Sequence, residues 1–372
     1  MATLYVTEPG SRIEKEHGRL LVTREDEVIA AVPLSQVSEV VLVGGVGATT
    51  PALLALLDQG VGLTLISRTG QLRGRLRPAE ARNLPLRQAQ YRRVGDEVFA
   101  REMCRAIVAG KLRNCRTLAR RMLRRMPDPI ARQAEPAGSV VAVSESVPVA
   151  EPGEATQSQA GEPYAGDPPN LDGAFERLNS ALSKVAVAKN VAEIRGLEGS
   201  GARAYFAVLR AALRADMSFD RRTRRPPRDP ANALLSLAYS LLTNALFTAA
   251  EVAGLDPYAG FLHADKYGRP SLALDLVEEF RPVVADSIVL WVVNRRLLDV
   301  DDFETDDEAG TRLSRRGLRV FLAQFTRRLH TTVYHPEAGR AISYQKIFEV
   351  QARAVRRCIE SGQADYPSFL VK

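Results

Sequence analysis

Short apolar runs fill the first eighty residues. Segments 19–23, 28–34, 37–43, 62–67 and 71–76 are short runs, all but the last with β-branched residues, and are separated by Gly, Pro, Asp and Ser, so each reads as a strand. Between two of them, TTPALLALLDQG offers Thr50 as a helix cap, Pro51 for the first helical position and Gly60 for the residue after the last turn. A short helix over 51–59 is therefore expected inside a small sheet. From residue 85 the apolar period changes to three-to-four. It predicts helices over 86–126, from a cap at Asp172 onward, and over 202–216, 232–253, 271–280, 284–298, 314–329 and 344–361. No strand signal of comparable strength appears in this second part. The fold class expected is α+β. A small N-terminal β-rich domain (1–84) should be followed by a larger all-α domain, with its first helices at 85–133 and its main body at 174–372.

Charge sharpens that picture. The 372 residues carry 51 Lys+Arg against 44 Asp+Glu, a formal net charge of +7. With 45% hydrophobic and 26% charged residues, the chain reads as soluble and globular, which excludes wholesale disorder. Segment 134–173 contains no Lys or Arg and seven acids, and is rich in Pro, Gly, Ala and Ser. Such a composition buries too little apolar surface to offset chain entropy, so it is expected to be an acidic disordered linker or insertion. Without its −7, the rest of the chain stands at +14, a footprint that fits nucleic-acid phosphates. Two stretches concentrate the excess. Segment 101–132 holds ten Arg/Lys and two acids, and MSFDRRTRRPPRDPAN carries Arg221, Arg222, Arg224, Arg225 and Arg228 on a proline-rich loop.

Cys104, Cys115 and Cys358 cannot all pair and lack zinc-ligand spacing, which suggests a reducing, cytoplasmic setting. The start shows no signal-peptide pattern. Segment 40–57 is uncharged over 18 residues but holds Gly44, Gly45, Gly47 and Pro51. It reads as strand, turn and helix rather than a membrane span. VGGVGATT lacks the Lys of a Walker loop and the full dinucleotide pattern, and reads as a tight turn.

Candidate chemistry is sparse. His263 lies between a Gly/Pro-rich turn and a helix, and Asp275 and Glu278 follow three residues apart, on one helix face. Their neighbours Leu272, Leu274, Leu276 and Val277 are apolar, so these acids lie near the buried side and need a basic partner or a metal. One reading is an ordinary salt-bridged helix, with Arg281 or Arg269 as counter-charge and a half-buried histidine. The other is an oxygen-rich site with one imidazole, which suits Mg²⁺ or Mn²⁺. Glu198 stands among Gly196, Gly199 and Gly201 inside a helical pattern. Three glycines there mean either a helix break or close approach of a partner.

In order, RGLEGSGARAYF, NALLSLAYSLL and GLDPYAGFLHADKYGRPSLALDLVEEFRP closely resemble the CRISPR-associated integrase that inserts new spacers into a repeat array, the universal adaptation nuclease of the Cas group. The opening LYVTEPGSRIEKEHGRLLV and the closing SYQKIFEVQARAVRRCIESG are similar to that family too, so the resemblance covers nearly the whole chain. It implies a β domain followed by an α-helical catalytic domain, a homodimer, a small ferredoxin-like companion protein and a divalent metal, Mg²⁺ or Mn²⁺. Carried over by position, it implies Glu198, His263 and Glu278 as catalytic metal ligands and Asp275 as a secondary acid. The substrate implied is double-stranded or branched DNA, whose 3′-hydroxyl attacks a phosphodiester. Arg203, Arg221, Arg222, Arg224, Arg225, Lys266 and Arg269 are expected to bind that DNA. A stand-alone branched-DNA repair nuclease and a non-catalytic DNA-binding scaffold of the same fold remain the alternatives. Segment 134–173 is longer than the family pattern.

Overall fold

The computed structural model describes residues 2–78, 83–123, 171–213, 217, 219, 222–223, 226–263, 266–306, 308 and 310–371. The expected acidic insertion, apart from its last three residues, lies outside them.

The N-terminal part runs β1 (Ala2–Val6), β2 (Arg12–Glu16), β3 (Arg19–Arg24), β4 (Glu27–Pro33), β5 (Val37–Val43), β6 (Gly47–Ala48), α1 (Thr50–Asp58), β7 (Gly62–Ile66) and β8 (Leu72–Leu76). Two four-stranded sheets result, ordered β1-β5-β7-β8 and β4-β3-β2-β6. Strand β5 pairs in parallel with both neighbours. Val40, Val41, Leu42 and Val43 are all buried, so this strand is covered on both faces, as its unbroken apolar run requires. The hairpin turns His17–Gly18 and Glu25–Asp26 have positive φ at both central residues, the backbone hand that matches strand twist in two-residue hairpins.

Pattern reading passed over β1 and β2. RIEKE buries only Ile13 fully, so alternation there is faint. The cap of α1 is Thr49, one residue before the expected Thr50, with Pro51 in the first turn as expected.

The second part holds α2 (Leu84–Val94), α3 (Glu97–Leu123), α4 (Leu171–Val185), α5 (Val191–Ala212), α6 (Pro230–Val252), α7 (Ser271–Phe280), a π turn (Arg281–Asp286), α8 (Ser287–Asn294), β9 (Phe303–Asp306), β10 (Gly310–Leu313), α9 (Arg315–His330), β11 (Thr332–His335), β12 (Arg340–Ser343) and α10 (Tyr344–Ser361). The α+β class stands. The expectation of an all-α second domain is corrected by two antiparallel hairpins, β9–β10 and β11–β12. Each strand has four residues, too few for alternation to register. The helical stretch expected over 86–126 is divided at Gly95–Asp96, where Asp96 accepts the backbone N–H of Phe99 at 3.0 Å and starts α3.

Two apolar clusters form the core. One lies wholly within the N-terminal sheets and α1. The other gathers α2 to α10 and reaches Tyr5, Val41, Val43 and Ile66 of the first sheet. Helix α6 is long and apolar enough to cross a membrane by length and composition, yet it packs as a core helix, with Leu234, Leu235, Ala238, Leu242 and Leu246 fully enclosed.

Helix α3 runs through the middle of this second cluster. Phe99, Met103, Ile107, Val108, Leu112, Cys115, Leu118 and Ala119 line its buried face, at helical spacing. Two polar residues share that face: Lys111 is 6% exposed and Asn114 1%. Asn114 Nδ2 donates to the carbonyls of Glu279 and Phe369 at 2.9 and 2.8 Å. The Glu279 carboxylate in turn accepts the Phe369 backbone N–H at 2.6 Å. The C-terminal segment thus fastens α3 to α7.

Candidate metal centre

Three elements converge beside that fastening. Helix α5 starts at Asn190, whose side chain accepts the Glu193 N–H at 2.9 Å, and carries Glu198 in its second turn. The helix runs unbroken through Gly196, Gly199 and Gly201, which settles the helix-break alternative. Gly201 is the close approach: a Cβ there would collide with Leu112 of α3. A Cβ on Gly196 would meet nothing within 4 Å.

His263 ends the loop that precedes α7. Buried Gln90 of α2 fixes this loop by donating to the carbonyls of Asp256 and Ala259 at 2.9 and 2.8 Å and accepting the Asp256 N–H at 2.8 Å. Asp275 of α7, fully buried, gathers the loop's end. Its Oδ2 accepts the N–H groups of Phe261 and Leu262 at 2.6 and 2.9 Å. Its Oδ1 accepts the His263 N–H at 3.0 Å and lies 2.7 Å from ring Nδ1. With the Nδ1 proton given to Asp275, the lone pair of His263 sits on Nε2, and that atom is 3.6 Å from Glu278 Oε1. A carboxylate holding the far nitrogen of an imidazole is the usual support of a metal-ligating histidine.

Glu278, one turn after Asp275, is 3% exposed. Arg281 Nη2 lies 2.9 Å from its Oε1. The Lys111 ammonium lies 2.5 Å from its Oε2 and also bonds Glu198 Oε1. Burial alone would raise the Glu278 pKa. Arg281, Lys111 and His263 outweigh it and hold the carboxyl at about 2. Burial likewise works to lower the Lys111 pKa, and Glu278 and Glu198 reverse it, so the amine stays protonated.

These groups open into a cavity of about 340 Å³, lined also by Arg195, Tyr205, Tyr239, Arg269 and Asp286. The Tyr239 hydroxyl donates to Asp286 at 2.6 Å. Burial outweighs that bond and raises the Asp286 carboxyl to about 6.

The expected site residues Glu198, His263, Glu278 and Asp275 come together, Asp275 behind the histidine and the other three on the cavity. Both readings of the acid pair hold in part: Arg281 is the counter-charge of Glu278, whereas Asp275 serves the histidine loop. Of the residues expected to bind DNA, Arg269 lines the cavity, and Arg203 and Lys266 are exposed. Arg222 is engaged within the fold, at 2.7 Å from Asn232 Oδ1 and 3.0 Å from Ser236 Oγ. Arg221, Arg224 and Arg225 lie outside the described residues. Pattern reading missed Lys111 and Gln90. The available signal was a polar side chain at a position where the helical stripe calls for an apolar one.

An oxygen–nitrogen–oxygen donor set whose two carboxylates already share one cation, the Lys111 ammonium, suits a hard divalent cation. Among the described residues, no three His, Cys, Asp or Glu side chains stand close enough to share one. The Lys111 ammonium lies between Glu198 and Glu278.

The family of CRISPR associated protein Cas1 matches residues 4–150 and 154–327. The chain is 34% identical over 375 residues to CRISPR-associated endonuclease Cas1 3 of Thermus thermophilus, covering 100% of this chain and 98% of that one. Among solved structures, a casposase bound to integration product superimposes with a TM-score of 0.77 at 21% identity, over 99% of this chain and 94% of the other. A chain of a Cas6-RT-Cas1–Cas2 complex gives 0.75 at 22% identity, over 100% of this chain and 36% of that one. A family match across both parts of the fold, with a full-length relative at that identity, decides the membership: this chain is a Cas1 protein of the CRISPR-associated family.

Proposed function

We propose that the chain is a metal-dependent DNA endonuclease and integrase that inserts new spacer DNA into a CRISPR repeat array. The observation that carries this reading is the convergence of Glu198, His263 and Glu278 on one basic cavity, with Asp275 fixing the histidine. The family's named endonuclease relative supports the activity, and the fold shared with a casposase on its integration product fits it.

Glu198, His263 and Glu278 would hold the divalent cation, Mg²⁺ or Mn²⁺. When bound, it polarises the phosphoryl group and stabilises the attacking and leaving oxygens. The protein's own part is positional. Asp275 keeps the imidazole in one tautomer and one orientation. Arg281 keeps Glu278 ionised. Arg195 and Arg269 place positive charge on the cavity wall, where they orient a DNA strand by its phosphates without reading sequence. A DNA 3′-hydroxyl in the cavity then displaces a strand from the target phosphodiester, joining donor to target. Water in its place gives cleavage.

A non-catalytic scaffold leaves the site without a purpose, because two adjacent carboxylates and an ordered imidazole are costly to enclose. The same reading includes a homodimer, a small ferredoxin-like companion and a cytoplasmic location. The related assembly, named as a Cas1–Cas2 complex, agrees with a companion protein.

The test is integration of a labelled DNA with a free 3′-hydroxyl into a repeat-bearing target, in the presence of Mg²⁺ or Mn²⁺. Glu198→Ala should reduce joined product to background while duplex binding persists. Undiminished joining in that variant would overturn the assignment.

A further inference from the structure

One ammonium, that of Lys111, contacts Glu198 Oε1 and Glu278 Oε2 at once. We propose that Lys111 is the resident counter-cation of the metal-free site: its ammonium fills the space between Glu198 and Glu278, and a divalent cation must displace it to bind. This rests on the metal-site reading above and adds a competitor built into the protein.

The geometry is specific. Lys111 rises from the buried face of α3, one turn after Ile107 and Val108 and one turn before Cys115. Its side chain is 8% exposed and meets the carboxylates of two different helices, α5 and α7. Arg281 neutralises one side of Glu278 only. Without Lys111, the buried Glu278 and the half-buried Glu198 would face each other with Arg281 on the far side of Glu278 as counter-charge, a costly arrangement.

The residue type matters as well. A lysine is a compact point charge on a flexible four-carbon stem, whereas an arginine fork would lock onto one carboxylate. Lys111 also lines the cavity, so its head has an adjoining space to move into. Metal binding is then exchange of one cation for another, with the carboxylates held in place beforehand by the lysine.

Mn²⁺ alone is the probe, measured by isothermal titration calorimetry and by thermal unfolding with and without chelator. For Lys111→Met, the metal-free melting temperature should fall. Mn²⁺ affinity should rise by about tenfold or more, the scale on which groups around a metal site change its affinity. Lys111→Gln should shift both in the same direction. Unchanged or weaker Mn²⁺ affinity in both variants overturns the proposal. If both unfold without metal, recovery of the folded state on adding Mn²⁺ supports it, and failure to recover at saturating Mn²⁺ overturns it. Glu198→Gln separates the two readings. Mn²⁺ binding that is absent in the parent protein, or unaffected by Glu198→Gln, sinks the metal site itself. Binding that depends on Glu198 yet ignores Lys111 sinks only the counter-cation.

Discussion

Asp275 holds His263 twice, at the backbone N–H from 3.0 Å and at ring Nδ1 from 2.7 Å. The same carboxylate takes the N–H groups of Phe261 and Leu262. One buried side chain therefore sets both the path of the loop and the lone pair of the imidazole.

Asp275→Asn should separate those duties. The amide offers one acceptor oxygen where the carboxylate offers two, so a loop N–H or the imidazole loses its partner. Metal affinity should drop about 10–100-fold, and stability should fall by about 1–3 kcal/mol for the unsatisfied group. Calorimetry of Mn²⁺ binding and chemical denaturation read the two effects apart; an unaltered affinity would show that the histidine is held by other means.

Glycines in this region should respond oppositely to added methyl groups. A Cβ on Gly260 would lie 2.6 Å from the Leu272 backbone N and 2.8 Å from Asp275 Oδ2. Neither backbone nor enclosed carboxylate can give way cheaply, so Gly260→Ala should destabilise the fold by about 1–3 kcal/mol and lower DNA cleavage. Gly196→Ala enters open space on α5 and should stabilise by up to about 1 kcal/mol. Melting temperatures of the pair, against the parent protein, check the sign of each.

Asp286 predicts a pH dependence. Its folded-state pKa, about 6, is raised from 3.8 by burial. The folded chain therefore holds this proton more tightly than the unfolded chain. The stability it contributes is present below about pH 4 and is lost as pH rises through about 6. Asp286→Asn should flatten the stability profile between about pH 4 and 6, and should stabilise at about pH 7 by on the order of 3 kcal/mol. Parallel profiles for the two proteins would contradict this.

Arg269 and Arg203 should act on DNA through charge alone. Each Arg→Ala change should weaken binding about equally across sequences, and should reduce the slope of log K against log salt by about 1 for each phosphate left without its arginine. Arg222→Ala should instead cost stability, because its guanidinium already bridges Asn232 and Ser236. A salt titration of DNA binding beside a thermal melt distinguishes the two kinds of arginine.

Local patterning carried much of the architecture. The valine run of β5, the Thr-Thr-Pro start of α1 and the acid spacing on α7 each express one element's own chemistry, and each was legible. Among the strands that escaped, β2 and those of the two late hairpins are short or bury a single face weakly, so their alternation does not rise above chance. Gly201 looked ambiguous because a close approach is a fact about two helices, and only α3 supplies Leu112.

By itself the sequence determined an α+β chain, a basic body with an acidic segment, and an acid–His–acid set whose resemblance points to one family. Tertiary structure decided which charges meet. Lys111 and Glu198 are 87 positions apart, and Gln90 reaches a loop 166 positions onward. No period or spacing encodes such distances, because they arise only when apolar faces of separate helices pack and carry their few polar side chains into the same enclosed space. There, low exposure to water makes an unpaired charge so costly that each must find a partner, and those partners define the site.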